Sequence, residues 1–261
     1  MKVITLTSSN FAKYTGHNQY EAKQKVINEL LSKNGIKDVY VPKSNIEEQL
    51  MSLTKENLSA LKQELQLPDT SNLSQIEAVI KTKVMASSYS KGISEEQSRT
   101  NLEKQTQGKP VLESLSTGIK HDLRMRRGNI KETMNLNKIQ KQMGVDIEQR
   151  NSKMYTKELY SNDLYTIMLR GKVDGLADGT IVESKNRTRR LFKTLREYEQ
   201  VQLECYMFLT GFEKAVLTEH FNGTEFCIDY SHQQDFWDDC VQKAVQFIDT
   251  YIAPSLLKET D

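Results

Sequence analysis

VDGLADGTIVESKNRTRR, residues 173–190, sets two acids on either side of a turn signal, a lysine two places after the second acid, and arginines directly behind it. Asp178-Gly179 is a preferred pair for a two-residue type I′ turn, whose positive φ angles suit the right-handed twist of paired strands. With the turn there, partners across the hairpin have numbers summing to 357, so Ala177 meets Thr180 and Asp174 meets Glu183. Directly opposed side chains stand about 5 Å apart on one face of a sheet, and like charges in that position repel. Lys185 projects from the same face as Glu183, because side chains alternate along a strand. Either Lys185 or a divalent cation can offset the repulsion, and carboxylate oxygens suit Mg2+ or Mn2+. A solvated hairpin, its acids and lysine simply hydrated, accounts for the same spacing.

Working outward, "LYTIMLRGKVDG" reads as a strand and "GTIVESKNR" as its antiparallel partner. "TLREYEQVQLECYMFLTG" carries Leu195, Tyr198, Val201, Cys205, Phe208 and Leu209 at helical spacing and stops at Gly211. On that helix Gln202 and Tyr206 are four apart and share a face. A buried glutamine needs hydrogen-bond partners, and backbone partners at the edge of a core satisfy that need as well as a functional site does. "KAVLTEHFNGTEFCIDY" is a second hairpin, turning at Asn222-Gly223, and "QQDFWDDCVQKAVQFIDTYI" closes the pattern as an amphipathic helix. The order helix–strand–strand–helix–strand–strand–helix predicts an α/β fold of the α+β kind, one mixed sheet flanked by helices.

Upstream, "TSSNFAKYTGHNQYEAKQKVINELLSKNG" predicts two helices divided by a turn at Gly16, with Ser8 or Ser9 capping the first and Gly35 ending the second. Residues 1–43 form the N-terminal helical part, and the polar, helix-periodic stretch 44–110 an inserted helical lobe closed by Pro110. The core resumes over 111–261, starting with a long or broken helix interrupted near Gly128.

The whole chain of 261 residues is 37% hydrophobic and 27% charged, with a formal net charge of +1. That describes an ordinary globular protein. No apolar run approaches the ~18 residues of a membrane span, and "MKVITLTSSN" is too short a run for a signal peptide, so the expected location is intracellular, with no membrane partner. Cys205, Cys227 and Cys240 form no C-x-x-C pair, and the four histidines show no metal-ligand spacing, which argues against disulfide scaffolds, zinc ribbons and iron–sulfur clusters. The near-zero charge hides two basic runs: six cations and no acid from Lys185 to Arg196, and five against Asp122 alone from Lys120 to Lys131. Such patches suit a phosphate-bearing partner, and solvated faces are the plainer alternative.

Taken in order, Asp174 in "VDG", Glu183 and Lys185 in "ESK", and Gln202 with Tyr206 in "QLECY" resemble the PD-(D/E)xK nuclease superfamily. Within it, the resemblance is to the RecB-type branch with phage lambda exonuclease and the YqaJ-like viral recombinases. "RRGNIKE" is similar to the family's glycine followed by a helical glutamate, which makes Glu132 a third acid near the metal, a solvated helix residue being the plain alternative. "SSNFAKYTGHNQY" is similar to the N-terminal segment of the YqaJ-like proteins, which implies that Ser9, Asn18 and Tyr20 touch the DNA end, unless Ser9 is only a cap. The resemblance covers roughly residues 5–20 and 124–230 and leaves 44–110 unexplained.

It implies a restriction-endonuclease-like core that hydrolyses DNA phosphodiesters, with Mg2+ or Mn2+ held by Asp174, Glu183 and Glu132. Lys185 then assists the attacking water, and Gln202 and Tyr206 position the site. Arg127, Arg187, Arg189, Arg190 and Arg196 track the phosphates. The expected activity is exonucleolytic, on double-stranded ends or single strands, in recombination or repair of viral or mobile-element type. An endonuclease, an RNA-cleaving enzyme and a non-cleaving binding module are the alternatives. A second copy of the chain and, by family analogy, a single-strand annealing protein are the further partners to be expected.

Overall fold

The computed structural model describes residues 1–42, 44–89 and 93–257. They divide into two compact units, Met1–Val41 with Glu132–Asp261, and Pro42–Lys131. The first unit opens with strand β1 (Lys2–Thr7) and helices α1 (Ser8–Tyr14) and α2 (Lys23–Lys33). The second is helical: α3 (Asn45–Met51), α4 (Lys55–Glu64), α5 (Leu73–Val79), a π-helical turn at Ile80–Met85, α6 (Ala86–Ser88), α7 (Glu95–Thr106) and α8 (Pro110–Ser114). Helix α9 (Ser116–Met143) runs from the second unit into the first. There follow β2 (Tyr155–Ser161), β3 (Tyr165–Gly171), β4 (Gly175–Ala177), β5 (Thr180–Asn186), α10 (Glu197–Thr210), β6 (Lys214–Phe221), β7 (Thr224–Ser231), α11 (Gln234–Tyr251) and α12 (Ala253–Leu257).

The strands form two mixed sheets rather than the single one expected: β1-β3-β2 and β4-β5-β6-β7. The run 164–175 is therefore not one strand, and the pairing ends at Gly171 and resumes at Gly175. Strand β1 was not anticipated; it lies parallel to β3 and buries Ile4 and Leu6 on one face. Strand β2 was missed as well, since its residues are mostly exposed and carry no alternating apolar signal.

Both hairpins have the expected register. Ala177 pairs with Thr180 and Phe221 with Thr224, around turns whose central residues all have positive φ: Asp178 46°, Gly179 73°, Asn222 46° and Gly223 82°. In β5 the alternation is strict. Ile181 belongs to a core with Leu203, Tyr206 and Met207 of α10, while Val182 joins Leu136 and Ile139 of α9 on the other side. Helix α10 is apolar on a second face, where Val201, Cys205 and Leu209 join Phe11, Trp237 and the α11 residues in the largest core. Trp237 stacks against Phe11 and Phe208, with ring centroids 5.7 and 5.2 Å apart. Helix α10 thus lies between two cores, which fixes its rotation and everything it presents to β5.

Three helix expectations are corrected. Neither Ser8 nor Ser9 caps α1; Thr7 occupies the N-cap position and makes no side-chain cap bond. Pro110 opens α8 at its first turn, where proline's missing N–H costs nothing. Gly128 does not interrupt α9, which is continuous through it. Among the described residues no helix is long and apolar enough to cross a membrane.

The helical unit has a core of its own around Ile46, Leu50, Leu61, Ile76, Leu102 and Leu112. Four of its helices, α3, α4, α5 and α7, start on side-chain caps. Ser44, Thr54 and Ser94 each accept from the backbone three residues on, and Asn72 forms a reciprocal box with Gln75. Glu64 accepts from the Val111 and Leu112 N–H groups at 3.0 and 2.8 Å, an acid on the positive end of α8.

Candidate active site

Because β5 alternates, Glu183, Lys185 and Arg187 follow Ile181 on the face toward α10. Lys185 Nζ donates to Glu183 Oε1 at 2.6 Å and to Gln202 Oε1 at 2.9 Å. Gln202 Nε2 donates in turn to the Tyr206 hydroxyl at 2.7 Å, and the Ser8 side chain lies near enough to that hydroxyl to act on its pKa. A continuous chain therefore runs Glu183–Lys185–Gln202–Tyr206 from a strand to a helix, with Ser8 of α1 beside its end. Ser8 is 3% exposed, and it reaches this position because residue 171 is glycine: a Cβ there would lie 2.3 Å from Ser8 Oγ. Ser9, the expected serine, is exposed on α1.

Asp174 lies just before the β4–β5 ladder, where its Oδ2 accepts from the Ser184 N–H at 2.9 Å. Burial, then the charges of Glu183 and Glu132, push its carboxyl well above the usual range. Glu183 is 3% exposed, and its Oε2 is buried without a hydrogen-bond partner. An orphaned carboxylate oxygen beside a second, repelled carboxylate is an incomplete donor set, and hard oxygen donors of this kind fit a divalent cation such as Mg2+. Among the described residues no three His, Cys, Asp or Glu side chains group as a metal site. Glu132 is near enough to act on Asp174 electrostatically, while its Oε1 accepts from Asn151. Burial opposes the charge on Lys185, and Glu183 and Asp174 outweigh it, so its ammonium is held above its ordinary pKa. Two of its three donors are used.

Beyond Lys185 the same face carries Arg187, which the sequence had placed among the phosphate contacts. The structure puts it elsewhere. Its guanidinium, 9% exposed, pairs with Glu199 at 2.7 Å and with Glu219 at 2.5 Å, both acids being buried. Glu219 Oε2 also accepts from the Phe192 and Lys193 N–H groups, at 2.8 Å each. The triad therefore ties the 187–196 loop to β6 and α10, leaving Arg189, Arg190 and Arg196 exposed. Arg127 lies in the helical unit, its guanidinium 5.6 Å over the Tyr89 ring. Asn18 accepts from the Tyr20 N–H at 3.2 Å, and Tyr20 is 87% exposed.

Ser8, Glu199 and Glu219 were missed. Ser8 had a legible signal, being three and four residues before Phe11 and Ala12 on the buried face of α1. Glu219 follows Ala215 and Leu217 on the buried side of β6, and an acid in such a row calls for a cationic partner.

No family model matches the chain, and no curated protein matches it. Among solved structures it is similar to an alkaline exonuclease, LHK-Exo, from Laribacter hongkongensis, at 13% identity and TM-score 0.41, over 67% of this chain and 89% of that one. It is similar also to LHK-Exo in complex with dAMP, at 11% identity and TM-score 0.42, over 77% and 90%. Overlaps of this size say nothing about activity.

Proposed function

We propose that the chain is a Mg2+-dependent deoxyribonuclease of the PD-(D/E)xK type. It hydrolyses DNA phosphodiester bonds as an exonuclease at DNA ends, in recombination or repair of viral or mobile-element type. The observation that carries this reading is the arrangement on β5. Asp174 and Glu183 are adjacent and under-neutralised, and Lys185 is drawn to Glu183 on one side and Gln202 on the other.

In this reading Asp174 and Glu183 hold the cation, with Glu132 assisting from α9. A divalent cation there polarises a phosphoryl oxygen and makes water more acidic. Lys185, kept charged by Glu183, directs its remaining donor to the attacking water or to a phosphoryl oxygen, where fixed charge is most effective. Gln202 holds the Lys185 ammonium in place, and Tyr206 holds Gln202. Arg189, Arg190 and Arg196 line the strand's path as phosphate contacts. Ser9, Asn18 and Tyr20 are proposed to meet the DNA end on the resemblance alone.

The test is to incubate end-labelled linear DNA and closed circular DNA with Mg2+ and follow product lengths. Progressive release of short products from linear DNA, with the circle intact, supports the exonuclease. Cutting of the circle makes it an endonuclease, and stable DNA of both kinds overturns the reading.

A further inference from the structure

A groove of about 530 Å3 opens between the α1–α2 loop and the first turn of α10. Tyr20 stands on one wall, 87% exposed, edge-on to Tyr198 on the other, with centroids 6.2 Å apart and planes at 82°. Arg196 is on the rim, its guanidinium stacked 4.4 Å from the Phe192 ring, and Leu195 adds an apolar patch. Glu197 is on the same rim. One cation, one acid and the His17 imidazole, which burial keeps toward its neutral form, leave the groove close to neutral, which disfavours a bare phosphate and suits a flat, uncharged group laid on the open face of Tyr20.

Its position relates it to the proposed active site. Tyr198, Gln202 and Tyr206 are successive i, i+4 neighbours on one face of α10. Tyr198 is therefore about 6 Å along the helix axis from the glutamine that holds Lys185, and the Lys185 charge acts on its hydroxyl. That separation is the scale of one or two nucleotides of a strand, at about 3.4 Å each when stacked.

We infer that the Tyr20–Tyr198 groove is a stacking subsite for an unpaired nucleobase of the DNA strand being cut, one or two nucleotides from the scissile phosphate. This rests on the nuclease reading above. The base must be out of the duplex, since only an unpaired base offers its face to a ring, and such stacking is tolerant of sequence. Arg196 then lies beside the phosphate that flanks the base.

The experiment uses the full chain carrying Glu183→Gln, with EDTA present. The probes are single-stranded oligonucleotides bearing 2-aminopurine at the first, second or third position from either end. Quenching of the fluorophore at one of these positions on binding is expected. Adding Tyr20→Ala or Tyr198→Ala should abolish the quenching and weaken binding roughly tenfold, whereas Tyr20→Phe and Tyr198→Phe should keep both. Unchanged quenching and affinity in both alanine variants, with thermal unfolding showing them folded, overturns the subsite. Tyr20 is exposed enough that its alanine variant tests the idea even if the Tyr198 variant is unstable. The two readings fail separately: a wild-type chain that leaves DNA intact in Mg2+ sinks the nuclease. Normal cleavage with unaltered KM in the alanine variants removes only the groove.

Discussion

Lys185 Nζ donates to Gln202 Oε1 at 2.9 Å, a single hydrogen bond that joins the strand bearing E-x-K to the helix bearing Q-x-x-x-Y. Without it the ammonium has only Glu183 to hold it, and misplacement of a reacting group by about 1 Å is enough to lower a rate about a hundredfold. Gln202→Ala is expected to reduce kcat by about that factor and KM by much less, measured by steady-state release of labelled nucleotide. A variant with wild-type kcat shows that Lys185 is positioned without it.

Two repelling acids should make the empty site less stable than the occupied one. Mg2+ or Mn2+ is expected to raise the melting temperature with saturating dependence on concentration, as for any ligand that binds only the folded state. Asp174→Asn should remove that increase and, having lost the repulsion, melt a few degrees above wild type without metal. A metal-induced shift that survives in both Asp174→Asn and Glu183→Gln places the cation elsewhere.

The arginines separate cleanly. Arg187→Ala leaves Glu199 and Glu219 buried without their cation, and breaking such a pair costs about 3–5 kcal/mol. The expected result in urea unfolding is a large fall in midpoint. Arg189→Ala with Arg190→Ala, both exposed, should move stability by less than about 0.5 kcal/mol.

The same double variant should instead weaken DNA binding and flatten its dependence on salt. Each lost phosphate contact removes about 0.7–0.9 from the slope of log K against log salt. A fluorescence-anisotropy titration at several salt concentrations checks this, and an unchanged slope means that these arginines point away from the DNA.

On the opposite face of α10 the buried Glu204 accepts from Tyr230 and bonds to the His232 ring, each at 2.5 Å. Burial lowers the pKa of His232, but Gln234 and Glu204 outweigh it, so the folded value is raised above the ordinary 6.5. A raised folded value means that the pair's contribution is complete below 6.5 and is lost as pH climbs through the folded pKa. The melting temperature should therefore decline on the alkaline side of 6.5, and His232→Gln should flatten that part of the curve.

Much of this was readable because short-range rules fix it. Asp178-Gly179 and Asn222-Gly223 each pin a hairpin, and once register is set, alternation alone puts Glu183 and Lys185 on one face. The spacing of Gln202 and Tyr206 does the same on α10. What was hidden depends on distant partners. Nothing near Arg187 reveals that its acids come from β6 and α10, so a run of cations looked uniformly exposed. The break at Lys172–Asp174, which divides the strands between two sheets, is flanked by Gly171 and Gly175, but Val173 continues the apolar run through it and masks the interruption. Gly128 suggested a helix end because glycine is unfavourable in a helix interior by about 1 kcal/mol, a cost small beside a 28-residue helix with buried neighbours.

The most direct measurement compares hydrolysis of end-labelled linear DNA by wild type, Glu183→Ala and Lys185→Ala, each with Mg2+ and with EDTA. A site built from Asp174, Glu183 and Lys185 predicts cleavage by wild type in Mg2+ alone and none by either folded variant. Cleavage by either variant at the wild-type rate, or by wild type in EDTA, contradicts it.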